Sequence, residues 1–560
     1  MFIYKKLIYD YYLENKSLFI GYFIIIIILY FLESIAISRL NAKLISSIDI
    51  KNIFKSMKNT ETFRYIIYLI ILYFVILFIY WIMRKIEIKL YPSFTSHIRK
   101  NIFKNTILKF SNTVEEIKIG KYVSRITELT KEIKSFISMI ISDGITKVLI
   151  ILFIIFYMFY LNNNIGYIFF GYLFLIILLL CYFGKNIMED ATKKCKIFLD
   201  MNEYLSDSLS NLTNVYLNNQ SNNEISVHDR LSDEYKIFVQ SSYNYSNNMS
   251  NLYNLLSLGV FIIVIIYGYK LFVIKKIDKL KLITIFILLG IFISTSIKLS
   301  FSFAEIFHKV GFINASNSFV EFIYDNNSSN NNIKHKIING NVIFKNISFS
   351  YKNNISIFKN TNLNIEGNKI TVLMGKSGSG KSTLCKLLLK LHTPNNGNIY
   401  IDNIDINEYD NNYLREKIIY VNQRTNLFDK TIMENIQYGN NNITDKDVIN
   451  YLKKYDLYSI FDNNMKKGIY AKCGTNGSNL SIGMQKIVIL LRGIFKNNYK
   501  IIIFDEPLAG LDQNSRGKVI KLIKDLTKNN NITIIIITHN KEITSIANKI
   551  INMNQIKNIN

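Results

Sequence analysis

The chain has 560 residues, of which 49% are hydrophobic and 14% aromatic, and 67 Lys and Arg stand against 41 Asp and Glu for a formal charge of +26. That length implies two or three domains, and apolar runs crowded into the part before residue 300 exclude a single soluble domain. The basic excess suits nucleic acid or an anionic membrane surface, but its residues are scattered singly and flank the apolar runs, so the expected partner is the lipid bilayer and no nucleic acid is expected.

Six windows reach the roughly 20 mostly apolar residues that a spanning helix needs: 18–37, 63–83, 145–161, 165–184, 252–274 and 280–301. The first starts too late and runs too long for a signal peptide, and five more follow it. Connections after spans one, three and five are short, Asn162–Asn164 being the tightest. Those after spans two and four, residues 84–144 and 185–251, are long. At 1.5 Å per residue each long gap can run out and back as two helices of about 40 Å. The turns are expected near Ser111-Asn112 and Gly120 in the first gap and near Asn218-Asn219 in the second. Both hairpins then project from one side of the bilayer. Loop charge does not fix which side, because Arg39, Lys43, Lys51, Lys55 and Lys58 crowd the first short loop as well.

Glu33, Lys298 and Glu305 fall in or beside spans and should face the bundle interior or a watery cavity. Ser294, Lys298, Phe301 and Glu305 recur at helical spacing as one polar stripe on the sixth span. The simpler reading is a Lys298–Glu305 neighbourhood snorkelling at the membrane surface; a cavity wall touching substrate is the alternative. Cys181, Cys195, Cys385 and Cys473 have no metal-site or disulfide spacing and read as small buried hydrophobes.

The pattern changes after residue 324. Residues 1–324 read as an all-α polytopic membrane domain and 325–339 as a linker, with Asp325–Asn332 (DNNSSNNN) polar and patternless. Residues 340–560 read as an α/β domain. Gly340–Tyr351 alternates with period two, and Lys369–Met374, Lys500–Phe504 and Ile532–Ile537 are apolar runs of the kind that buried parallel strands need.

Gly375-Lys376-Ser377-Gly378-Ser379-Gly380-Lys381-Ser382, followed by Thr383, fits G-x-x-x-x-G-K-[ST] directly after a strand. Its glycines let backbone N–H groups turn towards phosphate oxygens, and the following helix offers its positive end. Lys381 supplies a point charge for the β- and γ-phosphates, and the Ser382 hydroxyl a ligand for Mg²⁺. Far downstream, Asp505 and Glu506 end another strand. The first suits Mg²⁺, the second the polarisation of an attacking water. His539 follows a further strand and can reach the γ-phosphate and that water.

With these motifs in this order, the chain resembles the ATP-binding cassette family, and in particular the exporter type in which six spans precede one nucleotide domain. The resemblance implies that Tyr351 stacks on adenine. It implies that Gln423, in Tyr420-Val-Asn-Gln-Arg, reaches Mg²⁺ and the attacking water. Leu480-Ser481-Ile482-Gly483-Met484 resembles the signature segment, whose Ser481 hydroxyl and Gly483 backbone would cap the γ-phosphate held by a partner subunit. Ile482 and Met484 depart from the family's Gly and Gln, which implies a weakened cap. Ala509–Asp512 resembles the dimer-crossing loop, and Lys118–Thr127 and Leu205–Tyr216 resemble segments around the coupling helices.

The expectation is therefore an ATP- and Mg²⁺-dependent half-transporter that pairs with a second half-transporter and exports an unidentified substrate. Its nucleotide domain and long hairpins would face the cytosolic, ATP-containing side. An ATP-binding partner subunit with little hydrolysis of its own is the alternative. With about 17 residues ahead of span one, no leader-cleaving protease domain is expected.

Overall fold

The computed structural model describes residues 2–48, 60–110, 119–324, 335–351, 356–376, 378–422, 425–440 and 442–557. The turn at Ser111-Asn112, residues 325–334 of the linker, Ser377 and Gln423 lie outside the described residues. The described chain separates into two compact units, one holding the helices up to Tyr324 and the other everything from residue 335.

The first unit is helical. A short α1 (Phe2–Glu14) precedes α2 (Lys16–Phe31), which passes through a π-helical turn at Leu32–Ala36 into α3 (Ile37–Ser47). Next come α4 (Thr60–Phe110) and α5 (Ile119–Met139), the latter continuing through a second π-helical turn, Ile140–Ile145, into α6 (Thr146–Leu161). The remainder is α7 (Asn163–Ser210), α8 (Leu212–Leu217), α9 (Ser221–Val273), α10 (Lys279–Ala315) and α11 (Asn317–Tyr324). Among the described residues, six helical stretches are long and apolar enough to cross a membrane.

Helices α4, α7 and α9 have 51, 48 and 53 residues. That is about 70–80 Å at 1.5 Å per residue, against a hydrocarbon core of about 30 Å. More than half of each helix is left over to run beyond the bilayer. Asn162 starts α7 sharply, its Oδ1 accepting from the backbone N–H groups of Asn164 and Ile165. The chain reverses between α7 and α9 at Asn219, whose φ of +53° is one that asparagine tolerates.

Burial along α7 follows one stripe: Ile165, Phe169, Tyr172, Ile176, Gly184, Ile187, Ala191, Cys195 and Leu199. Tyr167, Phe170, Phe174 and Leu178 face outwards. Cys181 belongs to the outward set, contrary to the sequence expectation, while Cys195, Cys385 and Cys473 are buried. The reason is that lipid tails are as apolar as a protein core, so an apolar sequence does not reveal which face is inside. Where α10 crosses α7 the backbones are close. A Cβ added to Gly311 would fall 2.4 Å from the Ala191 Cβ and 2.8 Å from the Met188 carbonyl oxygen.

The second unit carries two sheets. An antiparallel one has the order β2-β1-β4-β5, from β1 (Val342–Ser350), β2 (Ser356–Ile365), β4 (Asn396–Ile401) and β5 (Ile404–Asp405). A parallel one has the order β6-β7-β8-β3-β9, from β3 (Ile370–Met374), β6 (Ile418–Val421), β7 (Ile501–Asp505), β8 (Thr533–Ile537) and β9 (Lys549–Asn552). Every residue of β7 and β8 is buried, as strands covered on both faces must be, and their Ile-rich composition suits that position. The two faces carry separate apolar cores, one including Leu384, Cys385 and Leu388 and the other Ile487, Val488 and Leu491.

Candidate functional site

In the parallel sheet β8 lies between β3 and β7. Strands are spaced about 4.8 Å apart, so the loops leaving β3 and β7 emerge roughly 10 Å from each other with the end of β8 between them. Each of the three strand ends carries a polar group, and the three groups converge.

The glycine-rich loop leaves β3 and enters helix α12 (Lys381–Leu388). Gly378 and Gly380 have φ of +77° and +94°, and a Cβ at Gly380 would sit 2.8 Å from the Phe358 ring, so the loop is built for glycine there. Lys381 folds back over the loop, its Nζ donating to the carbonyl oxygens of Gly375 (2.6 Å) and Lys376 (2.9 Å) and to the Ser379 hydroxyl (3.3 Å). Burial lowers the Lys381 ammonium below its ordinary value, and the Glu506 and Asp505 carboxylates pull it the other way. Lys486 behaves alike: burial depresses it, while Asp505 and Glu506 oppose.

Asp505 is the last residue of β7 and is buried. Its Oδ2 accepts from Tyr420 OH at 2.7 Å and from Ser382 Oγ at 3.4 Å. Two hard oxygen donors so placed, on Asp505 and Ser382, fit a Mg²⁺ ion, which prefers carboxylate and hydroxyl ligands alongside phosphate oxygens. Burial also raises the Tyr420 hydroxyl well above its usual value, keeping it protonated and therefore a donor to Asp505.

Glu506 follows at φ +51°, a left-handed conformation uncommon for a side chain of its size. Its N–H donates to the Ile537 carbonyl at 2.8 Å, tying the turn to the end of β8. The carboxylate is held from that same strand end. Thr538 Oγ1 donates to Oε2 at 3.1 Å, and the His539 backbone N–H donates to Oε1 at 3.2 Å. The His539 ring nitrogen Nε2 lies 3.8 Å from Oε1.

Tyr351 donates or accepts at Thr383 Oγ1 (3.1 Å), and its ring meets Phe349 and His392 edge-on at 5.1 and 5.5 Å. The result is an aromatic platform beside the phosphate loop. Ser481 caps helix α13 (Ile482–Ile494), its Oγ accepting from the Met484 N–H at 3.3 Å. Ile482 is 68% exposed, whereas Met484 is buried at 5%. A Cβ on Gly510 would lie 2.9 Å from the Ile482 Cγ2, and one on Gly483 would lie 3.1 Å from the Gly510 carbonyl oxygen. The signature segment and the loop 509–512 thus pack on each other within this chain. Asp512 caps helix α14 (Gln513–Asn530) through the Ser515 N–H at 3.1 Å. Its hydrogen bonding to Ser515 holds the carboxyl below the usual range.

Lys381, Ser382, Asp505, Glu506 and His539 are thereby brought to one sheet edge, and Tyr351 with Thr383 to its flank. Ser481, Gly483 and Asp512 form a separate surface feature of the same unit. Sequence reasoning missed Tyr420, Thr538, His392 and Lys486 as members of the neighbourhood. Thr538 directly precedes His539 and Tyr420 lies three residues before Gln423, so both are near motif positions, though only sheet order brings them to the site. His392 and Lys486 are brought in only by packing.

Residues 18–296 match the family model for the ABC transporter transmembrane region, and residues 358–509 match the one described as ABC transporter. An export ATP-binding/permease protein of Rickettsia typhi is 28% identical over 447 residues, covering 78% of this chain and 75% of that protein. The ATP-dependent permease MDL1 of Candida albicans is 28% identical over 453 residues, covering 78% and 64%. ABC transporter ATM1 of Plasmodium falciparum is 40% identical over 217 residues, 39% of this chain and 20% of that protein. The solved structure of a bacterial Atm1-family ABC exporter with ATP bound matches in fold, with a TM-score of 0.81 at 18% identity over 96% of this chain and 93% of that one. The chain belongs to the ATP-binding cassette transporters, as an exporter-type half-transporter whose transmembrane domain is followed by a nucleotide-binding domain with ATPase activity coupled to transport.

Proposed function

We propose that this half-transporter pairs with a second one, closes two cassettes over ATP, and uses hydrolysis to move a substrate out from the nucleotide-containing side of the membrane. The nucleotide domain and the long hairpins face the cytosol in this reading. One nucleotide domain per chain requires the pairing, since a phosphate loop needs a signature segment opposite it. Ser481 and the Gly483 backbone supply that cap to the partner's nucleotide.

Within one cassette, Tyr351 receives the adenine. Lys381 exchanges its loop carbonyls for the β- and γ-phosphate oxygens, a trade of partners that costs little because the ammonium is already inside the loop. Ser382 and Asp505 would hold Mg²⁺, with Gln423 expected to join them, and the ion would offset phosphate charge. Glu506 orients the attacking water in line with the γ-phosphate and takes its proton, while His539 steadies the transferring group. Loss of the γ-phosphate removes the bridging contacts, the cassettes part, and the membrane helices rearrange as rigid bodies.

The observation that supports this reading is the clamp on Glu506: two donors from the end of β8 hold its carboxylate in place, one residue beyond Asp505, whose own carboxylate meets Ser382. Reconstituted chain should show Mg²⁺-dependent ATP turnover, and Glu506→Gln should reduce it by about two orders of magnitude or more while nucleotide binding persists. Undiminished turnover in that variant would remove Glu506 from its role.

A further inference from the structure

Helices α2, α4, α6 and α10, with the two π-helical turns, line a cavity of about 320 Å³ within the first unit. Its wall is polar where a spanning bundle is ordinarily apolar. Ser34, Tyr80, Ser142, Thr146, Ser294 and Thr295 bring hydroxyls to it, and Glu33, Lys147 and Lys298 bring charges. Lys147 lies about 14 residues along its helix from Leu161, hence about 21 Å in, well inside a hydrocarbon core of about 30 Å. An ionisable group at that depth is costly unless it faces water, a partner or a ligand.

The three charges are not equally committed. Lys147 donates to Asp143 Oδ1 at 2.7 Å and to Ser302 Oγ at 2.8 Å, so it is neutralised in place. Glu33 accepts from Tyr80 OH at 3.0 Å, a bond that leaves its charge uncompensated. Lys298 lines the cavity and is exposed; its carbonyl accepts from the Ser302 hydroxyl at 2.9 Å, but its ammonium makes no hydrogen bond or ion pair among the described residues. Glu305, the neighbour suggested by the stripe on this helix, is not its partner. The snorkelling reading therefore gives way, for Ser294 and Lys298, to a cavity wall.

A second observation points to the same place. The π-helical turn Leu32–Ala36 carries Glu33 and Ser34, and the turn Ile140–Ile145 carries Ser142 and Asp143 and runs directly into Thr146 and Lys147. These are the π-helical turns found among the described residues, and both open on this cavity. Such turns cost helix geometry and recur where a helix must present side chains for function.

We propose that the cavity is the substrate contact site and takes a zwitterionic head group, an ammonium together with a carboxylate or phosphate on one molecule. Lys298 pairs with the anion and Glu33 with the cation; the assignment rests on the export reading above. A ligand with only an anion would meet Glu33, and one with only a cation would meet Lys298, so a ligand with both signs is the one that satisfies both. The volume suits a head group, lying at the small end of ligand pockets. Ile150 and Ile291 on the same wall can receive the start of an apolar chain.

The test uses the full chain in phosphatidylglycerol vesicles, reading equilibrium binding of tritiated probes and, in parallel, ATPase stimulation over each variant's own basal rate. Lysophosphatidylethanolamine and trialanine are zwitterions from a lipid and a soluble source; lysophosphatidic acid and N-acetyl-trialanine are their anion-only counterparts. At least one zwitterion should bind saturably and its anion-only counterpart should not, and whichever source binds identifies lipid or peptide chemistry. Lys298→Met should weaken that binding about tenfold or more, Lys298→Arg should restore it, and Glu33→Gln should transfer preference to the anion-only counterpart. Binding without a charge preference, no binding by any probe, or full affinity in Lys298→Met overturns the proposal. Charge-selective binding without turnover sinks the hydrolysis reading and leaves this one standing; turnover without binding does the reverse.

Discussion

Thr538 and Glu506 are joined by a 3.1 Å hydrogen bond from the threonine hydroxyl to Oε2, across the ends of two adjacent parallel strands. The bond explains how a half-buried turn residue at φ +51° can hold its carboxylate in one orientation. A left-handed glutamate costs of order 1–3 kcal/mol and persists only where its surroundings over-determine it. The Thr538 hydroxyl and the two backbone bonds, Glu506 N–H to Ile537 and His539 N–H to Glu506, supply that surplus.

Thr538→Val keeps the shape and removes the donor. A hydrogen bond to a charged group is worth about 1.5–3 kcal/mol, so the turnover number should fall roughly tenfold to a hundredfold. The KM for ATP should change by no more than about twofold, because in the proposed mechanism Thr538 aims the base without gripping nucleotide. Steady-state ATPase assays of the reconstituted variant decide it. A change confined to KM would mean that Thr538 serves binding.

What was readable in advance followed from chemistry carried by consecutive residues. The apolar windows, the phosphate loop and the Asp505-Glu506 pair are contiguous, so their spacing alone places them on spans, loops and strand ends. Tyr420 and Thr538 reach the site through sheet order, with β6 beside β7 and β7 beside β8, an order that chain sequence does not display. The cavity was half visible: Ser294 and Lys298 share a helix face, but Glu33, Tyr80 and Lys147 join them only by packing of separate spans. The π-helical turns were invisible, since each amounts to one extra residue in an otherwise continuous apolar helix. Cys181 was misplaced for a related reason, as lipid and protein core make the same demand on sequence.

The two departures in the signature segment are predicted to differ in kind. Ile482 is exposed at the start of α13, with its Cγ2 beside Gly510. Ile482→Gly should therefore leave the melting temperature nearly unchanged and, by freeing the backbone beside Ser481, raise turnover. Met484 is buried in the core with Ile487 and Val488. Met484→Gln places an amide there without a partner, a loss of about 1–3 kcal/mol. Differential scanning fluorimetry of the two variants separates them. Equal loss of stability would show that Ile482 is a packing residue and that the signature cannot be repaired one position at a time.

The close crossing of α7 and α10 makes a prediction for the membrane half that is independent of nucleotide. A Cβ at Gly311 would lie 2.4 Å from the Ala191 Cβ, and the next obstacle is backbone, the Met188 carbonyl oxygen at 2.8 Å. Backbone cannot rotate aside as a side chain can, so Gly311→Leu has to part the helices. Overpacking of this kind costs about 1–3 kcal/mol, and more where nothing flexible can yield. Gly290 is on the same helix, and a Cβ there meets nothing within 4 Å, so Gly290→Leu adds an apolar side chain to an open face. In detergent, Gly311→Leu should unfold at a lower temperature than the parent chain by several degrees, while Gly290→Leu matches it or exceeds it, leucine being the better helix former. If both variants melt alike, the two helices do not rely on that glycine, and the crossing is held by contacts elsewhere along α7.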